Sequence, residues 1–252
     1  MAQKINAELL LFHVAGKRAS EEEVKDLERQ LTMLAEEVVL NDCPWHIAVK
    51  RGSIFEDIGA FAEESSSGLI IMGTHGAKGS QKVFGSYALK VITNASTPFI
   101  ITQEQYRLSD KVDNILIPID LRNEDPRVLE ASAVIAKALG SKIHILASWS
   151  SSRSKQNLSH QIAGYAESFF AERNIPTKVK FAPETASFDK YLIDYAQEVE
   201  SDLIAIMNKG EEAYRTLFGK NFDQNIITNP YKIPVLTLDP HSSSMLQDLL
   251  GA

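Results

Sequence analysis

The sequence predicts an α/β protein made of two parallel-sheet domains in tandem, and three observations carry that reading. Strand-length apolar runs alternate with amphipathic helical stretches through most of the 252 residues, which is the pattern of a parallel sheet covered on both faces by crossover helices. The two halves align on each other without a gap at a constant offset of 134 residues, the distance from Asn6 to Gly140, as an internal duplication would. One apolar run, Leu69 to Met72, breaks into a glycine-rich loop and resumes as a helical pattern. Strand, loop and helix start in that order can cradle phosphate.

Ala7 to Val14 is a buried-strand run. Ser20-Glu21-Glu22-Glu23 then reads as a capping box, and Val24, Leu27, Leu31, Leu34 and Val38 recur at helical spacing on one face. Pro44 to Lys50 is the next strand, and Ser53-Ile54-Phe55-Glu56 a second capping box before a helix striped by Ile54, Phe55, Ile58, Phe61 and Ala62. The strand from Leu69, a helix through about Asn94 and a strand at Pro98 to Thr102 complete the first half, and polar Gln103 to Val112 reads as a linker. The alternation restarts with a strand at Asn114 to Asp120 and a helix capped by Asp125-Pro126 that ends at Gly140. Strands at Lys142 to Ser148, Thr177 to Phe181, Asp202 to Met207 and Ile233 to Leu238 follow. Helices over about Ser154 to Glu172, over Ser187 to Val199 and after Gly219 separate them, and the tail from His241 is serine-rich.

The offset places Leu9 on Ile143, Leu11 on Ile145, Ser53 on Ser187, Ala62 on Ala196, Ile70 on Ile204, Gly76 on Gly210 and Gly85 on Gly219. The expected domains are residues 1–103 and 113–240. Met1 lands on Ile135, so the first copy has no counterpart to residues 112–134, which hold the second copy's opening strand and most of its first helix. The first domain therefore starts in mid-helix, and a truncated or misassigned start is the expected cause.

Composition narrows the function. A net charge of −7 and a pI near 5.4 argue against nucleic-acid partners, whose phosphates are met by clustered Lys and Arg. The longest apolar runs, such as Ile115 to Ile119, fall far short of the ~18 to 20 residues that span a bilayer, and the first residues lack an apolar signal region. No membrane association is expected, and the lone Cys43 fits a reducing cytoplasm. Before Pro44 it reads as a small buried hydrophobe. His13 and His144, both in strands, read as packed core histidines, and Trp45 and Trp149 as packing residues. No His, Cys, Asp and Glu grouping has metal-ligand spacing, and no Gly-x-Ser-x-Gly elbow is present.

In the loop, Gly73, Gly76, Gly79 and Gly85 can take positive φ or let an anion approach the main chain, and Gly85-Ser86 would present N–H groups at a helix start. The spacing Gly-x2-Gly-x8-Gly-Ser matches neither the P-loop nor the Gly-x-Gly-x-x-Gly dinucleotide pattern. A ligand-free turn would use the same glycines. His75 could donate to a phosphate or cap the turn, and Lys78 and Lys82 could draw in anions or stand solvated.

Met72-Gly73-Thr74-His75-Gly76, the later Gly85-Ser86, the strand end Leu11-Phe12-His13-Val14, Pro118-Ile119-Asp120 and the repeated alternation together resemble the universal stress protein family, up to about Asp239. The resemblance implies two doubly wound, Rossmann-like domains of strand order 3-2-1-4-5, whose last strands pair between domains or subunits. A missing opening strand is then central, and its loss would leave strands 2 and 4 unpaired along their inner edges.

The ATP-binding branch of the family carries Gly-x2-Gly-x9-Gly-Ser/Thr. By resemblance, Val14 would line the adenine pocket, Met72 and Gly73 would sit at the ribose, and His75, Gly76, Gly85, Ser86 and Tyr87 would surround the phosphates of ATP, with Mg2+. Here the loop is one residue shorter, and the opening-strand Asp has no counterpart in the first copy. In the second copy Met207 stands where Gly73 stands, Lys220 replaces Ser86, and Glu211-Glu212 follow Gly210. A like-charge pair at 4 Å and an effective dielectric of 20 opposes binding by about 4 kcal/mol, so the second domain is expected to be nucleotide-free. The expected function is a cytoplasmic stress-response regulator without catalytic activity, with ATP possible in the first domain. The alternative is a nucleotide-independent interaction module. Either would be a homodimer or an intramolecular pseudo-dimer serving an unidentified protein partner.

Overall fold

The helix starts follow from side chains that replace missing backbone partners. At Ser20 the capping box closes in both directions: Ser20 N–H donates to Glu23 Oε2 at 2.6 Å, and Glu23 N–H to Ser20 Oγ at 3.2 Å. The second expected box closes differently. Ser53 Oγ accepts from Phe55 N–H, but Ser53 N–H donates to Asp57 Oδ2 at 2.6 Å, so Asp57 and not Glu56 completes the cap. Gly52 makes this possible, because a Cβ there would meet Asp57 Oδ2 at 1.9 Å.

The structure, a computed structural model, describes residues 1–38, 43–74, 90–93, 95–103, 111–119, 126–184, 187–207 and 222–238. In chain order it contains a 3-10 turn (Ala2–Ile5), β1 (Leu9–Gly16), α1 (Glu21–Val38), β2 (Trp45–Gly52), α2 (Ile54–Glu64), β3 (Ile70–Thr74), β4 (Phe99–Gln103) and β5 (Asn114–Ile119). There follow α3 (Pro126–Leu139), β6 (Lys142–Ala147), α4 (Arg153–Ala171), β7 (Thr177–Phe181), α5 (Phe188–Glu198), β8 (Leu203–Met207), α6 (Phe222–Ile227) and β9 (Val235–Leu238). No helix among the described residues is long and apolar enough to cross a membrane.

The second half forms one parallel array, β7-β6-β5-β8-β9, which is the order 3-2-1-4-5 counted within that half. β5 lies at its centre, with Ile115 beside Ile143 of β6 and Leu203 of β8. On the far side β4 pairs antiparallel with β9, Phe99 opposite Thr237 and Ile101 opposite Val235, and β3 runs parallel to β4. The last strands of the two halves thus pair within one chain, in a sheet of seven strands among the described residues. β1 and β2 form a separate two-stranded parallel sheet. The first half therefore keeps pairs 3-2 and 4-5 without the strand between them, and the inner edges of β1 and β3 carry no strand among the described residues.

The duplication is visible in the backbone. Asn6 (φ 52) and Gly140 (φ 75) both end a helical turn in the left-handed region, as do Ser66 (φ 52) and Glu200 (φ 49) two helices later. The helices α2 and α5 have the same length, 11 residues, and sit at the repeat offset.

Because successive strand side chains point to opposite faces, the large sheet has two cores. Ile115, Ile117, Ile143 and Ile145 pack under α3 and α4 with Val128, Leu129 and Phe170. Leu116, Leu146, Ile204 and Ile206 pack under α5 and α6 with Leu192, Phe222 and Ile226. In the first half the cover is thinner. The stripe expected on α1 is only half buried: Leu34 and its neighbour Met33 are exposed, and Ala35 takes the buried position. Cys43 is buried as a small hydrophobe, its Sγ 3.7 Å from Ala7 O.

Candidate functional site

The candidate nucleotide site is bounded by the carboxyl ends of β1 and β3. β1 brings Val14 beside Lys50 of β2. β3 brings Met72 beside Ile101 and Gly73 beside Thr102 of β4. Met72 packs, partly buried, with Ile70 against the core under α5 and α6, and Gly73 is exposed where the strand runs into its loop. Val14 and Met72-Gly73 therefore belong to two different sheets. His75, Gly76, Gly85, Ser86 and Tyr87, and with them Asp120, Gly210, Glu211, Glu212 and Lys220, lie outside the described residues.

The helix α2 joins the two sheets. Toward the small sheet, Phe61 stacks on Phe12 at 4.0 Å between ring centroids, and Lys50 lies over Phe61 at 4.8 Å while pairing with Glu64. Toward the large sheet, Phe55 and Ile58 pack on its core, Lys90 lies over Phe55 at 4.5 Å, and Ser96 Oγ donates to Glu63 Oε1 at 2.6 Å.

Equivalent positions of the two halves differ in cover, because the second half has the strand β5 and the helix α3 beside them. Ile71 is 55% exposed, whereas its counterpart Ala205 is 1% exposed. Leu11 is partly buried and Ile145 fully buried. His13, expected in the core, is exposed. The position is a core one only where the sheet is complete, since its counterpart Ala147 is fully buried.

His144 is the core histidine the sequence predicts. It is buried, its Nε2 lies 3.2 Å from Asn114 Oδ1, its Nδ1 has no hydrogen-bond partner, and its ring meets Tyr195 edge-on. Burial first, then Lys178 and Lys142, holds its pKa below the usual 6.5 and favours the neutral ring. Trp149 is 38% exposed but packs edge-on against His160 and Phe181 at 5.8 Å. Asp202 Oδ2 accepts from the N–H groups of Asp113 and Asn114 at 2.8 and 3.0 Å, fixing the entry to β5.

The second half also encloses a cavity of about 320 Å³ at the carboxyl end of β5, between α3 and α4, lined by Pro118, Val128, Leu158, Gln161 and Tyr165 among others. Among the described residues no charged side chain lines it. Sequence reasoning missed it because its walls come from two helices whose apolar residues read simply as core.

The topology defines a doubly wound α/β protein, and in the sequence a glycine-rich stretch follows β3. Residues 1–103 match the model of the Universal stress protein family. No curated protein matches the sequence. Among solved structures, a universal stress protein from Archaeoglobus fulgidus DSM 4304 is similar at TM-score 0.70 and 14% identity, covering 94% of this chain and 88% of that one. A putative universal stress protein from Pseudomonas aeruginosa UCBPP-PA14 is similar at TM-score 0.62 and 17% identity, covering 97% and 86%. The cytoplasmic domain of a prokaryotic cation chloride cotransporter is similar at TM-score 0.52 and 10% identity, covering 95% and 98%. At these identities the likeness is one of fold.

Proposed function

We propose that the chain is a cytoplasmic stress-response regulator that acts by holding a protein partner, without catalysis, and that its first half does not bind ATP by itself. The carrying observation is the break between the two sheets. The residues expected at adenine and at ribose, Val14 and Met72-Gly73, stand on strands with no strand between them among the described residues, so the described part of the pocket does not fit the nucleotide. The pairing of β4 with β9 supports an intramolecular pseudo-dimer, because it uses within one chain the edges that a homodimer of this fold would use between two.

A second reading, Mg2+-dependent ATP binding by the first half, is favoured by one feature. Gly73 is exposed at the carboxyl end of β3, where open α/β sheets take their ligands. Titration calorimetry with ATP and magnesium on the folded chain separates the readings. No saturable heat is expected. Saturable heat that disappears in Gly76→Val or Gly85→Val and survives in Gly219→Val would overturn the nucleotide-free reading.

A further inference from the structure

We infer that the cavity between α3 and α4 is a binding site for a small neutral ligand, a compact aromatic or alicyclic molecule of about ten to thirteen non-hydrogen atoms carrying one hydrogen-bonding group. The inference goes beyond the reading of the chain as a partner-holding regulator and does not depend on it.

Three elements meet around the cavity at the carboxyl edge of the large sheet. Its inner wall is Ile119 of β5, Val128 and Leu129 of α3, and Ile162 and Ala166 of α4. All five are buried, yet they face open space, so they are shielded from water without being fully packed. Its rim is different in character: Gln161 and Tyr165 line it and are exposed, Tyr165 by 56%. Apolar depth with a few polar groups at the mouth is the usual character of a small-molecule site.

Size sets the class of ligand. Native cores hold few voids larger than a water molecule, and an apolar void of about 150 Å³ accepts benzene. The cavity measures about 320 Å³, room for about twice that number of carbons and the lower end of the range of ligand pockets. Ordered water would need about two to four polar partners for each molecule, which an aliphatic inner wall does not supply. Polarity sets the charge. No charged side chain among the described residues lines the cavity, so an ionised group placed there would lose its hydration without a counter-charge. The described lining includes no residue of β3 or β8, which separates the cavity from the candidate nucleotide site.

The repeat distinguishes the rim from ordinary helix packing. Leu158, Gln161 and Tyr165 of α4 fall at the repeat offset on Val24, Leu27 and Leu31, the apolar stripe of α1. In α4 two of these three stripe positions carry polar tips, and both line the cavity. Gln161 makes no side-chain hydrogen bond with another described residue, which leaves its amide for a ligand. Tyr165 lies 6.4 Å from Phe169 between ring centroids, and Arg173 stands over Phe169 at 3.7 Å. These contacts hold the Tyr165 ring as an aromatic side of the mouth, suited to a flat ligand.

The test titrates the full-length protein, its methyl groups isotope-labelled for NMR, with neutral naphthol, neutral naphthalene and anionic naphthoate. The inference predicts saturable 1:1 binding of naphthol with methyl shifts concentrated at Val128, Leu129, Leu158 and Ile162, and binding of naphthoate at least about tenfold weaker. Gln161→Leu, which installs the residue of the first copy, should weaken naphthol by about threefold to tenfold and leave naphthalene unchanged. Ala166→Leu, which fills the space from its wall, should weaken both neutral probes at least about tenfold without lowering the melting temperature. Gln161 is exposed, so its variant keeps the fold and the comparison of probes stands even where Ala166→Leu does not fold. Absence of saturable shifts with both neutral probes would overturn the inference, as would shifts centred away from the cavity or unchanged binding by folded Ala166→Leu. Naphthoate binding as tightly as naphthol would overturn the assignment of a neutral ligand.

Discussion

Ile70 and Ile204 occupy the same position of the repeat and carry the same side chain, but one is partly buried on an open-edged strand and the other fully buried at the centre of a sheet. Truncation of each to alanine isolates the effect of the missing strand. Either change removes three carbons, about 2.4 kcal/mol at about 0.8 kcal/mol per carbon. At Ile204 the enclosing core relaxes little, and a cavity contribution brings the expected loss to about 3 to 5 kcal/mol. At Ile70 part of the side chain is already wet and the open edge can collapse, so about 1 to 2 kcal/mol is expected. Urea unfolding at a common slope measures both, with fluorescence of Trp45 reporting the small sheet and Trp149 the second half. Equal losses, or a larger loss at Ile70, would refute the claim that the first half is open at β3.

His144 predicts a pH effect. Its folded pKa lies below 6.5, so on acidification the unfolded chain takes up a proton that the folded core refuses; the sign is a loss of stability as pH falls from 6.5 toward the folded value, with none above it. His144→Gln should flatten that part of the urea midpoint against pH, and an unchanged profile would contradict the assignment. Two glycines predict opposite signs in thermal melts. Gly164 lies mid-helix in α4 and is exposed, with open space where a Cβ would stand, so Gly164→Ala should stabilise by about 0.5 to 1 kcal/mol. Gly140 also has open space but sits at φ +75, so Gly140→Ala should destabilise by about 1 kcal/mol.

The fold was legible where local physics and tertiary context agree. The reading of Thr177 to Phe181 as a strand matches β7, and the one capping signal that local spacing settles, Ser20 with Glu23, closes as expected. The Ser53 cap was misassigned to Glu56 because spacing alone cannot show that Gly52 clears room for Asp57. His13 was misread for a similar reason: strand position predicts burial only if the sheet is complete beside it. Leu34 falls on the apolar stripe of α1, yet the helical period does not reveal how much of that stripe finds a partner. That no strand joins Val14 to Met72 and Gly73 was legible from the repeat offset, and the sheet order of the described residues agrees.

The central claim is that, among the described residues, β6 and β8 flank a middle strand whereas β1 and β3 have none between them. Residue-resolved amide exchange on the free protein tests this most directly. A strand bonded on one side leaves every second N–H without a ladder partner, so alternate amides of Leu9–Val14 and Ile70–Met72 should exchange more than about tenfold faster than those of β6 and β8. Uniform protection of β1 and β3 at the level of β6 and β8 would contradict the account.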